Sequence, residues 1–530
     1  MQNAETKAGS STAKPVFTSS FVIRHSAFVL IALFALAVRL PQLGERPMHT
    51  DEAINAYITG GLLAGESFHY DPQDRHGPAL FVIAEPLARL LGAKNFSGLT
   101  ETQLRLSTVL TSTAAVLLLG AGAEMFGFIP CLVAALLFAF APLPVYYSRY
   151  FIHETLFAAA TLGLILSGGR ACQKKSFSAA ALAGGCAALM LAGKETAVIH
   201  FFALVVAAAI GWLWSARTSP RFETGRHVVP SESGVWPPHS RPAALITIAL
   251  FVFIFTVVLL FTWGGKSWSA LADLLHAIPN FAARAGGQGH EKPFWYYARL
   301  LAGGWSGAII LLLAAGGFLQ AIRHPAARAR FVLAVYALLV VAIYSAIPYK
   351  TPWLALNLWL PLAILAGIGV EWLWLAFAKF SARAVILIFV VTIGFLMIHD
   401  TVKWVFKFPA DEKNPYAYAH TGEDLRRLPA RLAELARQND IANPRIAVVA
   451  ADAWPLPWYL RKFSQVGFWQ PNQETGAADF FITTTDVSGR LAEQLKDFRP
   501  EFFGARPNVL LILWSPMTTN AAVELPASQP

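Results

Sequence analysis

Apolar residues run in blocks along most of this chain, separated by short polar bursts. Eleven blocks lie at roughly 22–41, 103–124, 128–147, 153–169, 177–192, 197–215, 243–263, 299–320, 329–348, 353–375 and 381–400. Each is near the length of about 20 residues that a helix needs to cross a bilayer. A twelfth apolar stretch, ALFVIAEPLARLL at 79–91, carries Glu85, Pro86 and Arg89 and suits an interfacial helix better. If it crossed, every orientation downstream would reverse. The periodicity changes after about residue 400. RRLPARLAELARQ (426–438) is a short amphipathic helix, while RIAVVAAD (445–452), ADFFITTT (478–485) and NVLLILW (508–514) read as strands. A helix, VSGRLAEQLKDF, is expected between the last two, which makes a small α/β sandwich. The expected organisation is a disordered cytoplasmic tail at 1–20 and a transmembrane domain of about eleven helices at 21–400. Within the latter, 42–102 forms a first outer loop with interfacial helices; an extracytoplasmic α/β domain at 401–530 completes the chain.

Composition agrees. Hydrophobic residues make up 55% of the 530, charged residues only 14%, and the mean hydropathy of +0.49 excludes an ordinary soluble domain. Cys131, Cys172 and Cys186 fall in or beside apolar runs with no C-x-x-C pair, so neither a disulfide framework nor a zinc cage is expected. The net charge of +10 would suit nucleic acid, but its placement argues otherwise. With a cytoplasmic N-terminus, the inner loops and span ends hold fifteen Lys and Arg, from Lys7 and Lys14 through Arg221, Arg226 and Arg241 to Arg383, against four acids. That is a positive-inside pattern, and no nucleic-acid partner is expected. Ala35 and Ala37 give only weak signal-cleavage spacing, and a multispan chain needs no separate signal.

The outer loops are chemically dense: RPMHTDEAINAYITGG (46–61), YYSRYFIHETLF (146–157), AGKETAV (192–198), GGQGHEKPFWYY (286–297) and IPYKTPW (347–353). The inner loops carry bare Arg and Lys, and the span centres are almost clean of ionisable groups. A transporter more often buries such groups near the bilayer centre, so the asymmetry points to a site on the outer face. Thr50 is a suitable N-cap, with Ile54, Tyr57, Ile58 and Leu62 following at helical spacing, so Asp51 and Glu52 open a short amphipathic helix. Acids in a first turn favour the helix dipole by about 0.3–1 kcal/mol, which is the structural account of the pair. The chemical account is a carboxylate poised at the membrane surface as a general base, kept ionised by free helix N–H groups. RAGGQGHEK lacks the ending of a phosphate loop and reads as a mobile outer loop. FWYY, Trp353 and Trp359 fit an interfacial aromatic belt or a sugar-stacking platform.

HTDEAINAY, YYSRYFIHETLF, GKETA, PYKTPWL and NPYAYAHT, in that order over about residues 20–470, resemble the GT-C superfamily of membrane glycosyltransferases. Within it the chain resembles the branch of the dolichyl-phosphate-mannose–protein mannosyltransferases and the lipid A aminoarabinose transferase. It looks closer still to a prokaryotic group labelled flippase-activity-associated after its genes' neighbourhood. The β-trefoil module of eukaryotic protein mannosyltransferases is absent, so a protein acceptor is not implied.

The resemblance implies inverting transfer of a sugar from a polyprenyl-phosphate donor to an extracytoplasmic glycan, lipid or protein, at the plasma (inner) membrane. It makes Asp51 the base, with Glu52 beside it. The leaving group is already a phosphate, so the reaction needs cations to neutralise it rather than a strong general acid. Arg149 could grip a phosphate bidentately, and Lys194 and Lys350 would act as point charges, with Lys292 in reserve; snorkelling at span ends is the structural account of each. His153 and Glu154 stand where related oligosaccharyltransferases carry a second acidic motif that helps hold a divalent metal. With Asp51 they would suit Mn or Zn, although no D-x-D is present. Outer histidines such as His69, His76 and His290 read as solvated or satisfied. A component of a lipid-linked glycan flippase and a non-catalytic scaffold remain as alternatives. Convergence of Asp51, Glu52 and the outer cations on one cavity would favour the enzyme.

Overall fold

The structure, a computed structural model, describes residues 19–73, 75–218, 242–287, 289–325 and 327–517. Lys7, Lys14, Arg221, Arg226 and Arg241 lie outside the described residues, as does the expected N-terminal tail up to residue 18.

All eleven apolar blocks are helical. Among the described residues eight helices are long and apolar enough to cross a membrane: Glu101–Ala121, Glu154–Lys174, Ala197–Trp214, Pro242–Phe261, Gly304–Arg323, Arg328–Ala346, Pro352–Ala376 and Phe380–Lys407. Ser26–Arg39 and Phe177–Gly193 are shorter apolar helices. Phe128–Phe140 and Pro142–Ser148 form a pair bent by 59°. The bend is local chemistry. Pro142 has no N–H to continue the first helix and drives Ala141 into an extended conformation (φ −69°, ψ 145°). The carbonyls of Phe138 and Ala139, orphaned at that helix end, accept hydrogen bonds from Arg39 at 2.7 and 2.8 Å.

Pro352–Ala376 is the central helix, with 94% of its apolar window buried. It can approach Gly304–Arg323 closely because both contribute glycine. A Cβ on Gly317 would run into the Leu365 carbonyl, and one on Gly369 into that of Leu313. Ala79–Leu90 is a helix, as expected, but its twelve residues rise only about 18 Å, too little to span. It buries Leu80, Phe81, Ala84 and Ala88 instead.

The C-terminal region holds a five-stranded mixed sheet in the order β2-β1-β3-β5-β4, with β1 at Arg445–Val449, β2 at Gln465–Trp469, β3 at Phe480–Thr484, β4 at Phe498–Arg506 and β5 at Val509–Pro516. β1 pairs parallel to β2 and β3, and β5 pairs antiparallel to β3 and β4. Two strands, β2 and β4, were not expected from the sequence. The expected helix 487–498 is broken into Thr485–Ser488 and Ala492–Leu495 around Gly489, and Phe498 already belongs to β4. Leu428–Gln438 packs Leu432 and Leu435 into the same core as Ile446, Ile482 and Leu513. That core is shared with the first loop, through Met48, Ala53, Ala56, Leu80 and Ala84. Met48 N–H donates to Tyr459 Oη (2.9 Å) and Trp458 Nε1–H to Glu101 Oε1 (2.9 Å).

The first loop is itself organised around Glu52. The carboxylate is fully buried and accepts from Arg105 Nε and Nη2 (both 2.8 Å), from the Phe151 N–H (2.8 Å) and from the His49 N–H (3.2 Å). Arg46 stands 3.4 Å away. Burial alone would raise the Glu52 pKa, but Arg105 and Arg46, with the hydrogen bonds from Arg105 and Phe151, hold it well below the usual carboxylate range. The expected place of Glu52 beside Asp51 in the chemistry is therefore corrected. Its oxygens are spent on two guanidiniums and two backbone amides.

Glu52→Gln leaves two buried guanidiniums undercompensated and should cost about 3–5 kcal/mol, read as a marked fall in thermal unfolding temperature in detergent. Because the folded-state pKa is depressed, the stabilisation is present at neutral pH and declines as pH falls below the ordinary value of 4.5. A Glu52→Gln protein as stable as wild type at pH 7, or one with an unchanged acid limb, would contradict this.

Candidate functional site

Glu52 sits at the third position of the helix Thr50–Leu63. His49, not the expected Thr50, is the N-cap: its Nδ1 accepts from the Asp51 N–H (3.1 Å), and Glu52 reaches back to the His49 N–H. The reciprocal pair satisfies the first turn without Asp51. His49 is held in turn by the Tyr418 carbonyl, 3.1 Å from Nε2, which makes Nε2 the protonated nitrogen. One residue is about 100° around a helix, so with Glu52 anchored inward the Asp51 side chain, 45% exposed, turns into a neighbouring cavity.

The cavity measures about 1230 Å³ including its open mouth, and brings together Asp51, Asn55, Arg75, His76, His153, Glu154, Lys194, Glu195, Arg284 and Tyr349. Ile54, Ile58, Phe281, Trp353 and Leu354 supply apolar wall. Lys194 follows the helix Phe177–Gly193 in an extended conformation and forms a buried ion pair with Glu154, the first residue of Glu154–Lys174. Burial would lower the Lys194 pKa, but the Glu154 carboxylate and its hydrogen bond raise it above the ordinary value. Glu195 accepts from His76 Nδ1 (2.9 Å) and from Tyr70 Oη (3.2 Å). Burial would raise it; the His76 charge and hydrogen bond bring it down to about 2. His153 Nε2 lies 3.1 Å from the Gly77 carbonyl, and burial, with His76 and Lys194 nearby, pushes its pKa well below the usual imidazole value. Gly77 is itself required, because a Cβ there would meet the Ala192 carbonyl. Its bare backbone lets the 75–78 segment lie against 192–195 and carry Arg75 and His76 to the cavity.

Two pairings, Glu154 with Lys194 and Glu195 with His76, account for four of the charged side chains. Asp51, Arg75 and Arg284 remain, and among the described residues neither arginine has a carboxylate partner. Arg75 Nε is buried without a hydrogen bond. Arg284 ends the amphipathic helix Ala270–Arg284.

Of the expected site residues, the structure brings Asp51, His153, Glu154 and Lys194 together, with His76 and Trp353 also in the lining, and leaves Glu52, Arg149 and Lys350 elsewhere. Arg149 is buried, and its guanidinium donates to the carbonyls of Arg39 and Pro41 (both 2.6 Å) and Gln42 (3.0 Å) and lies over the Phe406 ring. Burial, with Arg46, Arg105 and Arg39, lowers its pKa to about 9, still cationic at neutral pH. Lys350 Nζ donates to the carbonyls of Lys292 (3.2 Å) and Ile347. Both cations bind backbone rather than facing the cavity. Trp359 is buried in the core, not in a belt. The 286–292 loop is fastened by the Lys292 N–H to Pro348 O and the Lys350 N–H to His290 O, both 3.1 Å. The sequence pattern did not single out Arg75, Arg284 or Glu195, since isolated charges carry no spacing signal; Glu195, inside AGKETAV, and Arg284, the first residue of RAGGQGHEK, lay in motifs already noted.

The expected metal set does not assemble. Glu154 is taken by Lys194, His153 hydrogen-bonds a carbonyl, and among the described residues no group of three His, Cys, Asp or Glu side chains could hold an ion. The residues present do not fit the Mn or Zn centre.

Residues 76–222 match the family model of dolichyl-phosphate-mannose-protein mannosyltransferase. No curated protein matches the sequence. The fold is similar to ArnT from Cupriavidus metallidurans bound to undecaprenyl phosphate, at 15% identity and a TM-score of 0.60 over 92% of this chain and 97% of that one. It is also similar to the archaeal oligosaccharyltransferase AglB from Archaeoglobus fulgidus in complex with an inhibitory peptide and a dolichol-phosphate, at 11% identity and a TM-score of 0.53 over 95% of this chain and 75% of that one. The chain thus has the multispan GT-C fold with a small C-terminal sheet domain, and part of that fold carries the mannosyltransferase family's sequence pattern.

Proposed function

We propose that this protein is an inverting glycosyltransferase that moves a sugar from a polyprenyl-phosphate donor to an extracytoplasmic glycan, lipid or protein. One observation carries the reading. In a bundle of this fold, a partly exposed carboxylate, Asp51, shares a cavity with a paired lysine and two arginines that, among the described residues, lack carboxylate partners. Anionic donor and deprotonating base need that combination.

In the proposed reaction the acceptor hydroxyl oxygen attacks the anomeric carbon on the face opposite the phosphate. The new glycosidic bond forms as the bond from the anomeric carbon to the phosphate oxygen breaks, and its electron pair leaves on the polyprenyl phosphate. Asp51 takes the hydroxyl proton late in the displacement, as in inverting glycosidases. Arg75, Arg284 and the remaining donors of Lys194 hold the phosphate charge where it grows. Glu154 positions Lys194. Arg149 and Lys350, expected as phosphate ligands, have no part here, because their donors are committed to backbone carbonyls. The cavity opens near the C-terminal domain's end of the bundle, which on the positive-inside count faces away from the cytoplasm.

Asp51→Asn should fold normally, since His49 and Glu52 cap the helix without it, and should lower transfer by about 10²-fold or more with a polyprenyl-phosphate sugar. Full turnover in a well-folded variant would remove Asp51 from the chemistry. Arg284→Gln should weaken donor binding roughly 10- to 150-fold, the equivalent of a lost charge-assisted hydrogen bond, with less effect on acceptor binding. Unchanged donor affinity would take Arg284 out of the phosphate site. For orientation, Lys94→Cys in a Cys172→Ser background should react with an impermeant thiol reagent added to intact cells. The exposed native Cys172, near the opposite end of the bundle, should react only after permeabilisation. The reverse pattern would invert the protein in the membrane.

A further inference from the structure

A second concavity lies away from the Asp51 cavity, between the first-loop helix and the C-terminal sheet. It measures about 1200 Å³ including its open mouth. One wall is Tyr57, six residues beyond Asp51 on the same helix and about a third of a turn round it. The other walls come from the carboxyl ends of two parallel strands, Ala450–Trp454 after β1 and Phe468–Gln470 at the end of β2. In open α/β sheets that edge is where ligands are held.

The lining chemistry is selective. Four aromatic residues from three chain segments line it, Tyr57, Trp454, Phe468 and Trp469, the last with its ring packed on the opposite face of the sheet beside Ala447 and Phe481. Tyr57 is 53% and Phe468 44% exposed, high values for aromatic side chains. Tyr57 and Trp454 meet edge to face at 6.1 Å. The Trp469 indole folds back over Gly467, which has no Cβ to lift it. Between the rings stand hydrogen-bonding groups held in place by their own partners. Asp452 accepts from Arg506 at 2.6 Å and from the Trp454 N–H at 3.1 Å, while Gln473 Oε1 accepts from the Gln470 N–H at 2.8 Å. Among the described residues the lining contains no Lys, Arg or His, so nothing there would neutralise a phosphate or a nucleic acid.

Exposed ring faces interleaved with carboxylate and amide groups, without cations, match a ligand that is apolar on its faces and hydroxylated at its edges. We propose that this groove binds a pyranose oligosaccharide, C–H faces against the aromatics and hydroxyls on Asp452 and the glutamine amides. Taking the transferase reading above, on which this clause alone rests, the oligosaccharide belongs to the acceptor, held by the same helix that presents Asp51.

The test is saturation-transfer NMR on the full-length protein in detergent with mannotriose, cellotriose, chitotriose and maltotriose, with no donor present. Wild type should transfer saturation to pyranose ring protons of at least one. Phe468→Ala, on the half-exposed edge strand β2, and Trp454→Ala should each weaken that binding at least roughly tenfold, the effect of truncating an aromatic anchor, while the unfolding temperature in detergent reports whether each variant is folded. Cys172→Ser, near the opposite end of the bundle, should leave it unchanged. No transfer to any of the four sugars, or equal transfer in both aromatic variants, would overturn the proposal. Binding here, together with no glycosyl transfer in a separate assay supplied with a polyprenyl-phosphate sugar, would keep the groove and sink the transferase reading instead.

Discussion

A carboxylate taken out of water among hydrophobic helices must be met by charge and hydrogen bonds from every side, and Glu52 is met from four places in the chain. Arg105 comes from a long apolar helix, Arg46 from the loop before, Phe151 from the segment after the bent helix pair, and His49 from the helix cap. An unpaired ion at that depth would be strongly destabilising, so the four segments are obliged to meet. Their meeting settles how the first loop lies on the bundle. It also settles where Asp51 points, because adjacent helix positions diverge by about 100°. One acid of the pair anchors the loop, and the other is thereby turned into a cavity.

The cavity shows the same accounting applied to a place where charge is left over. Glu154 with Lys194, and Glu195 with His76, are internally satisfied and hold two bundle segments and the 75–78 loop in register. Asp51, Arg75 and Arg284 are not matched to each other by an ion pair. Among the described residues Asp51 has only His49 Nδ1 at 4.0 Å and the two arginines have no counter-ion, an arrangement unfavourable for stability alone and of the kind that clusters at functional sites. Arg149 is the instructive contrast. Its fork is as well suited to phosphate as any in the chain, yet the carbonyls of residues 39, 41 and 42 at the end of the first helix need donors and take it.

The C-terminal sheet is tied to this arrangement rather than hung from it. Its hydrophobic core continues into Met48, Ala53, Ala56, Leu80 and Ala84, and Tyr459 and Trp458 hydrogen-bond residues of the first loop and of the next span. The helix bearing Asp51 is therefore clamped from below by Glu52 and from above by the sheet domain. It lies between a charged cavity and an aromatic groove and contributes residues to both.

Much of this was legible in the sequence. Hydrophobic blocks of bilayer length are a local property, and all eleven are helices; so is the amphipathic 426–438 segment. The apolar strands β1, β3 and β5 stood out for the same reason, whereas β2 and β4 did not, since QVGFW and FRPEFFGAR show no clean alternation and gain strand conformation only by pairing. Asp51, His153, Glu154 and Lys194, which line one cavity, stood out because they sit in dense motifs. What tertiary structure alone decided was partnership. Whether a buried Arg, Lys or Glu meets a carbonyl, a counter-ion or open space depends on segments 40 to 110 residues away, which no local pattern encodes. That is why Asp51 and Glu52, adjacent and chemically alike, ended with opposite surroundings, and why Arg75 and Arg284, which no spacing signal marked, line the cavity that Arg149 and Lys350 do not.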